Sequence, residues 1–155
     1  MTDQRTLELL LNDINTAQQL VDLLEQEFVA LGERDLNQLQ ALLAQKQPAL
    51  HMLEQNRSER SKLLLSGNLS ADLAGLQTLA STSALGEKIL ASSSQLNELL
   101  EQCQAANLRN GRLIRSNQTS VNSMLNIIRG SNTPSLYDKT GSAAGASTQR
   151  PFSQA

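Results

Sequence analysis

The sequence predicts an all-α protein: an antiparallel three-helix bundle of long, coiled-coil-like helices, with a short extra helix and a disordered C-terminal tail. Three observations carry this. Leucine supplies 30 of the 155 residues, while Phe28, Tyr137 and Phe152 are the only aromatics. A core drawn from Leu, Ala and a few Ile and Val favours helices over a β-sandwich. Apolar residues recur at alternating spacings of three and four, which is helical periodicity. After Gly130 the composition turns abruptly to Ser, Thr, Gly, Ala and Pro.

The first helix, about 3–31, is the clearest. Leu7, Leu10, Ile14, Ala17, Val21, Leu24, Phe28 and Leu31 keep an unbroken three-four alternation over four heptads, a pattern no strand can show. Leu9, Leu11, Leu20 and Leu23 widen the stripe, as in a bundle helix with more than one neighbour. Thr2 or Asp3 can cap its start, and Gly32 stands where a stop belongs. At 1.5 Å per residue such a helix is about 45 Å long.

Asp35 is a suitable N-cap for the second helix, about 35–66, whose seam is read as Leu36, Leu39, Leu43, Leu50, Leu53 and Leu64. The link from Gly32 to Asp35 is short, so the first two helices are expected to be antiparallel neighbours. Pro48 interrupts the hydrogen-bond ladder, but the seam persists on both sides, which predicts one kinked helix. The polar run Asn56–Lys62 is expected to be less well packed, and Gly67 and Asn68 end the element.

Ser70 can cap a short helix to about residue 80. A long helix of about 84–129 follows, close to 70 Å if straight. Leu85, Ile89, Leu96, Leu99, Cys103, Ala106 and Leu113 carry its seam, and Ile114, Val121, Leu125 and Ile128 continue it with a drift. Asn110 and Asn117 fall on seam positions, where a buried amide costs stability but fixes register. Residues 131–155 hold too little apolar surface to offset chain entropy and are expected to be a disordered tail, leaving 1–130 as the helical domain.

Composition excludes several functions. Thirteen basic and fifteen acidic residues give a net charge of −2, unlike the basic surplus of a nucleic-acid binder. The single cysteine, Cys103, can form no internal disulfide, and the single histidine, His51, can build no metal site alone. His51 has Glu54 one turn on and reads as a solvated side chain; Cys103, on the seam, reads as a small buried hydrophobe. Arg109, Arg112 and Arg115 read as a solvated face or as a match for an acidic stripe on a partner. No phosphate-binding loop, nucleophile elbow or paired-carboxylate motif occurs, so neither catalysis nor a cofactor is expected. The polar N-terminus is no signal peptide, and no run nears the ~20 apolar residues of a membrane span, so the expected location is the cytoplasm.

The last helix is too long for the first two to cover. Its C-terminal third still carries Leu113, Ile114, Val121, Met124, Leu125, Ile127 and Ile128. Apolar residues without an internal partner mark an interaction surface, here a groove for a partner helix. Coverage by the short segment Ser70–Ala80, or dimerisation, would serve the same residues.

The same region carries a resemblance. Asn107-Leu108-Arg109-Asn110-Gly111 is followed by Leu113-Ile114, a helix to Ile128-Arg129-Gly130, and a polar stretch ending in Leu136-Tyr137-Asp138-Lys139-Thr140-Gly141. In order and spacing these elements resemble the FlgN family of flagellar type III export chaperones, and the likeness spans the whole chain. The resemblance implies a chaperone that keeps hook-associated proteins of the hook–filament junction soluble and delivers them to the membrane export gate. It implies that a C-terminal client helix is bound by residues such as Leu113, Ile114, Val121, Met124, Leu125 and Ile128, and that Tyr137 docks to the gate. The family would lead one to expect an uninterrupted second helix, from which Pro48 departs. The competing reading is a non-catalytic adaptor or scaffold that self-associates through its heptad seam. The oligomeric expectation is a monomer or weak homodimer.

Overall fold

The computed structural model describes the backbone of residues 1–128, and the side chains of all of these except 120–122, 124, 125 and 128. Four helices, and no strand among the described residues, make up an all-α fold: α1 (Thr2–Glu33), α2 (Leu36–Ser66), α3 (Leu73–Ser81) and α4 (Gly86–Ile128). The expected tail, 131–155, lies outside the described residues. The chain divides after Gly111 into two units, Met1–Gly111 and one that begins at Arg112.

Within Met1–Gly111 the helices run up, down and up. Asp13 meets Asn56, and Glu27 meets Lys46, so numbers fall along α2 as they rise along α1. By contrast Ala17 meets Cys103 and Leu24 meets Asn110, a constant offset that makes α4 parallel to α1. The core lies along α1. Leu10, Ile14 and Ala17 pack with Leu76 of α3 and Ile89 and Leu96 of α4, and farther on Leu20 and Leu24 pack with Cys103 and Ala106. Leu23 and Ala30 enclose Leu42 of α2. Of the added stripe residues Leu9, Leu20 and Leu23 are buried, but Leu11 is exposed.

The caps sit elsewhere than the sequence suggested. Glycine 32 is helical, and α1 stops at Arg34, which takes the left-handed conformation with φ 57°. Its N–H donates to Leu31 O, and the Asp35 N–H donates to Ala30 O, closing the helix as a Schellman turn. Asn68, φ 61°, closes α2 in the same way. Asp35 accepts from the Gln38 N–H as the N-cap of α2. Helix α3 starts three residues after Ser70 because Asp72, not Ser70, accepts the Gly75 N–H; the Ser70 hydroxyl donates to that carboxylate instead. At the α3–α4 connector Ser83 accepts from the Leu85 N–H and donates to Asp3 at 2.6 Å, tying the start of α4 to the start of α1. Gly86 is required there, since a Cβ would lie 2.1 Å from the Ala80 carbonyl oxygen.

Helix α2 is continuous through Pro48, and its inward face is only in part the predicted one: Leu39, Leu53 and Leu64 turn inward, but the other three seam leucines do not. Leu36, Leu43 and Leu50 are 73, 51 and 52 % exposed. The residues turned inward are Leu39, Leu42, Lys46, Ala49, Leu53, Asn56, Arg60 and Leu64. Their spacings are again three and four, but three of the eight are polar. Two polar clusters therefore hold α2 to α1. Asp13 accepts from Asn56 Nδ2 at 2.7 Å and pairs with Arg60, while Asn56 Nδ2 also reaches Asn12 Oδ1 at 2.8 Å. Fourteen residues along α1, Glu27 pairs with Lys46 at 2.7 Å. The run Asn56–Lys62, expected to be poorly packed, is thus anchored at Asn56 and Arg60, and at Glu59, which accepts from Arg5 Nε at 2.7 Å.

Candidate functional site

The predicted client-binding residues all lie on the C-terminal stretch of α4. In helical register Ile114, Val121, Leu125 and Ile128 recur at spacings of seven, four and three, so they share one face, with Leu113 and Met124 along its edge. Ile114 is 39 % exposed and Ile127 is 72 % exposed, while Leu113 and Asn117 are half-buried. For Val121, Met124, Leu125 and Ile128 the structure places the backbone in the helix. Tyr137 lies outside the described residues.

Arg109 and Asn110, near the end of the first unit's part of α4, are heavily tethered. Asn110 is buried, and its Nδ2 donates to Leu24 O at 2.9 Å and to Glu27 Oε1 at 2.8 Å. Since Glu27 also receives Lys46, one carboxylate joins α1, α2 and α4. The seam asparagine accordingly fixes register, as its position suggested. Arg109 is no free solvated cation: its guanidinium reaches both oxygens of Glu25, at 3.3 and 3.2 Å, and lies 3.9 Å over the Phe28 ring. The pairing is partly solvated and adds cation–π attraction to an otherwise exposed ring. Arg112 and Arg115 are exposed.

No chemistry gathers around the residues singled out for it. His51 is exposed, and neighbouring Glu54 is paired with Arg57, which holds that carboxyl below its ordinary range. Cys103 is buried with Sγ 3.7 Å from Ala17 O, and desolvation pushes its thiol pKa up, away from the thiolate a nucleophile needs. No group of three His, Cys, Asp or Glu that could hold a metal occurs among the described residues. A groove of about 550 Å³ opens between α1 and α2 beside Pro48, lined by Gln19, Gln26, Gln45 and Met52. It has no cluster of ionisable groups to do chemistry. Among the described residues no helix is long and apolar enough to cross a membrane.

Sequence reasoning missed the polar interior. Thr6, Asp13, Leu20 and Glu27 are all buried and stand seven residues apart. That heptad spacing was legible, but a search for apolar residues passes over three of the four.

Comparison with known proteins fits this architecture. The family model described as FlgN protein matches residues 1–145. The chain belongs to the FlgN family. A crystal structure at 1.48 Å of a protein described as a flagella synthesis protein FlgN, from Pseudomonas aeruginosa, is 46 % identical. It covers 78 % of this chain and 93 % of its own, with a TM-score of 0.68. Among curated proteins no match is found. FlgN-family proteins are flagellar export chaperones without enzymatic activity, and the all-α fold here is of that kind.

Proposed function

We propose that this FlgN-family chain is a cytoplasmic export chaperone. It binds the C-terminal helical region of hook-associated proteins of the hook–filament junction, prevents their premature assembly and hands them to the membrane export gate. The observation that carries the reading is the apolar face of α4 from Leu113 to Ile128, on which Ile114 is open to solvent. An amphipathic client helix laid along Leu113, Ile114, Val121, Met124, Leu125 and Ile128 would bury its own apolar face there. Side chains without rings can re-pack around more than one client. Tyr137 would then dock the loaded chaperone at the export gate, a single aromatic anchor on a polar segment giving weak, reversible contact.

The alternative of a scaffold that self-associates through its heptad seam finds less support. In Met1–Gly111 the α1 and α4 seam residues Leu10, Ile14, Ala17, Leu24, Ile89, Leu96 and Cys103 are already buried against one another. The test is affinity capture from flagellated cells with the full chain and with a variant carrying Ile114→Asp and Leu125→Asp. Recovery of a hook-associated protein by the parent and not by the variant is expected. Equal recovery by both would remove α4 as the client site. Tyr137→Ala should keep client binding but lower secretion of the client; unchanged secretion would leave Tyr137 without the docking role.

A further inference from the structure

Of the eight glycines, Gly111 alone follows an asparagine or an aspartate, so Asn110-Gly111 is the one pair of its kind in the chain. With no side chain on the second residue, the Gly111 nitrogen can approach the Asn110 side-chain carbonyl carbon unhindered. In an open chain that nitrogen, its proton passed to water or hydroxide, bonds to Asn110 Cγ. The Cγ–Nδ2 bond then breaks and Nδ2 leaves as ammonia, closing a five-membered imide. Water opens the imide at either carbonyl, leaving aspartate or isoaspartate at position 110; nothing is oxidised or reduced. The folded chain holds every participant back. Helix α4 is unbroken through Gly111, which directs the Gly111 N–H at the carbonyl four residues earlier. The leaving group, Asn110 Nδ2, donates to Leu24 O at 2.9 Å and to Glu27 Oε1 at 2.8 Å. Asn110 is 1 % exposed, so water has little access to it. All of these groups belong to Met1–Gly111.

We propose that Asn110-Gly111 is a self-modification site, held off by the contact of α4 with α1 and spent when that contact opens. Deamidation then runs only in the open fraction of molecules, so its rate follows how often α4 leaves Leu24 and Glu27. The product makes the opening permanent. The amide donor is replaced by a carboxylate, which would have to return to a buried place facing the Leu24 carbonyl and the Glu27 carboxylate. Lys46, 2.7 Å from Glu27, is already the counter-charge of that carboxylate. Two carboxylates sharing one buried site repel each other, and an isoaspartate also lengthens the helix backbone by one carbon. The site thus works as a one-way timer on the α1–α4 contact, each opening carrying a chance of never closing. The proposal is independent of the client reading, since it concerns only residues before Arg112.

The test incubates the full chain in mildly alkaline buffer and reads the fraction of Asn110 converted by peptide mass spectrometry, with an isoaspartate-specific methyltransferase reporting the iso form. With the fold intact, conversion should be at least about tenfold slower than in unfolding urea, and should rise as urea is added below the transition. Glu27→Ala, checked for retained helicity, should speed conversion in native buffer about tenfold, since one charged hydrogen bond of the gate is gone. Gly111→Ala should slow it even in urea, because a Cβ then hinders the attacking nitrogen. Asn110→Asp supplies the product without the wait. It should melt at a lower temperature than the parent and exchange the α4 amide hydrogens beside α1 faster. Conversion as fast in the folded chain as in urea, or unmoved by urea below the transition, overturns the gate. So does a folded Glu27→Ala that converts no faster than the parent; if that variant does not fold, the urea series on the parent decides. An Asn110→Asp chain as stable as the parent overturns the one-way timer.

Discussion

Replacing Asp13 by alanine tests what holds α2 in place. Asp13 is 1 % exposed, accepts from Asn56 Nδ2 at 2.7 Å and pairs with Arg60. Truncation leaves the Arg60 guanidinium, whose side chain is 17 % exposed, without its counter-charge in a place water barely reaches. The Asn56 amide keeps only Asn12. Breaking a buried pair from one side costs about 3–5 kcal/mol, and the residual access of Arg60 puts the expectation near the lower end, about 3–4 kcal/mol. For a unit of this size that lowers the melting temperature by about 10–15 °C. Thermal unfolding followed by helical circular dichroism reads the shift directly. The triple change Asp13→Leu, Asn56→Leu, Arg60→Met removes both sides of the cluster. It should recover most of the loss, because a packed apolar replacement of a buried pair is often neutral or better. A loss below about 1 kcal/mol for Asp13→Ala would refute the reasoning, since that is the worth of a solvated surface pair.

Three further outcomes are expected. Thr6 is fully buried and its hydroxyl has no partner among the described residues, so Thr6→Val should stabilise the bundle by about 1 kcal/mol in urea unfolding. Arg34 holds a left-handed conformation at φ 57°, while Gly32, with open space around a would-be Cβ, sits inside the helix. Moving the glycine by Gly32→Ala with Arg34→Gly should raise stability by about 1–2 kcal/mol, read in the same assay. Asp3 is held well below its ordinary 3.8 by the Ser83 hydroxyl, the N-terminal ammonium and the Gln4 N–H. Its contribution is complete above that ordinary value and is lost as pH falls through the lowered one. Glu54 and Glu59, depressed from 4.5 by Arg57 and Arg5, act in the same direction. Melting temperature should therefore fall progressively below about pH 4.5, and Asp3→Asn should cost clearly less stability at pH 2 than at pH 6. An equal cost at both would deny the linkage.

The architecture was legible wherever the seam is apolar. Helix α1 announces itself through Leu7 to Leu31, and the first half of α4 through Ile89, Leu96 and Cys103, because burial there is hydrophobic and hydrophobicity is what periodicity counts. Helix α2 was found, but only half of its predicted seam, Leu39, Leu53 and Leu64, faces inward. Its inward positions include Lys46, Asn56 and Arg60, whose burial depends on Glu27 and Asp13 a full helix away, and partners so distant in sequence leave no local trace. Leu36, Leu43 and Leu50 stand in their own heptad and so imitate a seam. Cap positions slipped for a related reason: Gly32 has the freedom a helix stop uses, yet the stop falls at Arg34, where Asp35 must turn to open α2. The family resemblance rested on the C-terminal third, and the family model spans residues 1–145.

The buried thiol has a practical consequence. Cys103 is the only cysteine, sits between α1 and α4, and its sulfur faces the Ala17 carbonyl. A thiol reagent can reach it only when those two helices part, so its labelling rate in native buffer counts openings of the bundle one molecule at a time. Followed with and without client, the same rate distinguishes a chaperone that grips its cargo as a rigid body from one that must unzip to receive it. The sulfur thus serves as a clock built into the fold, needing no introduced cysteine.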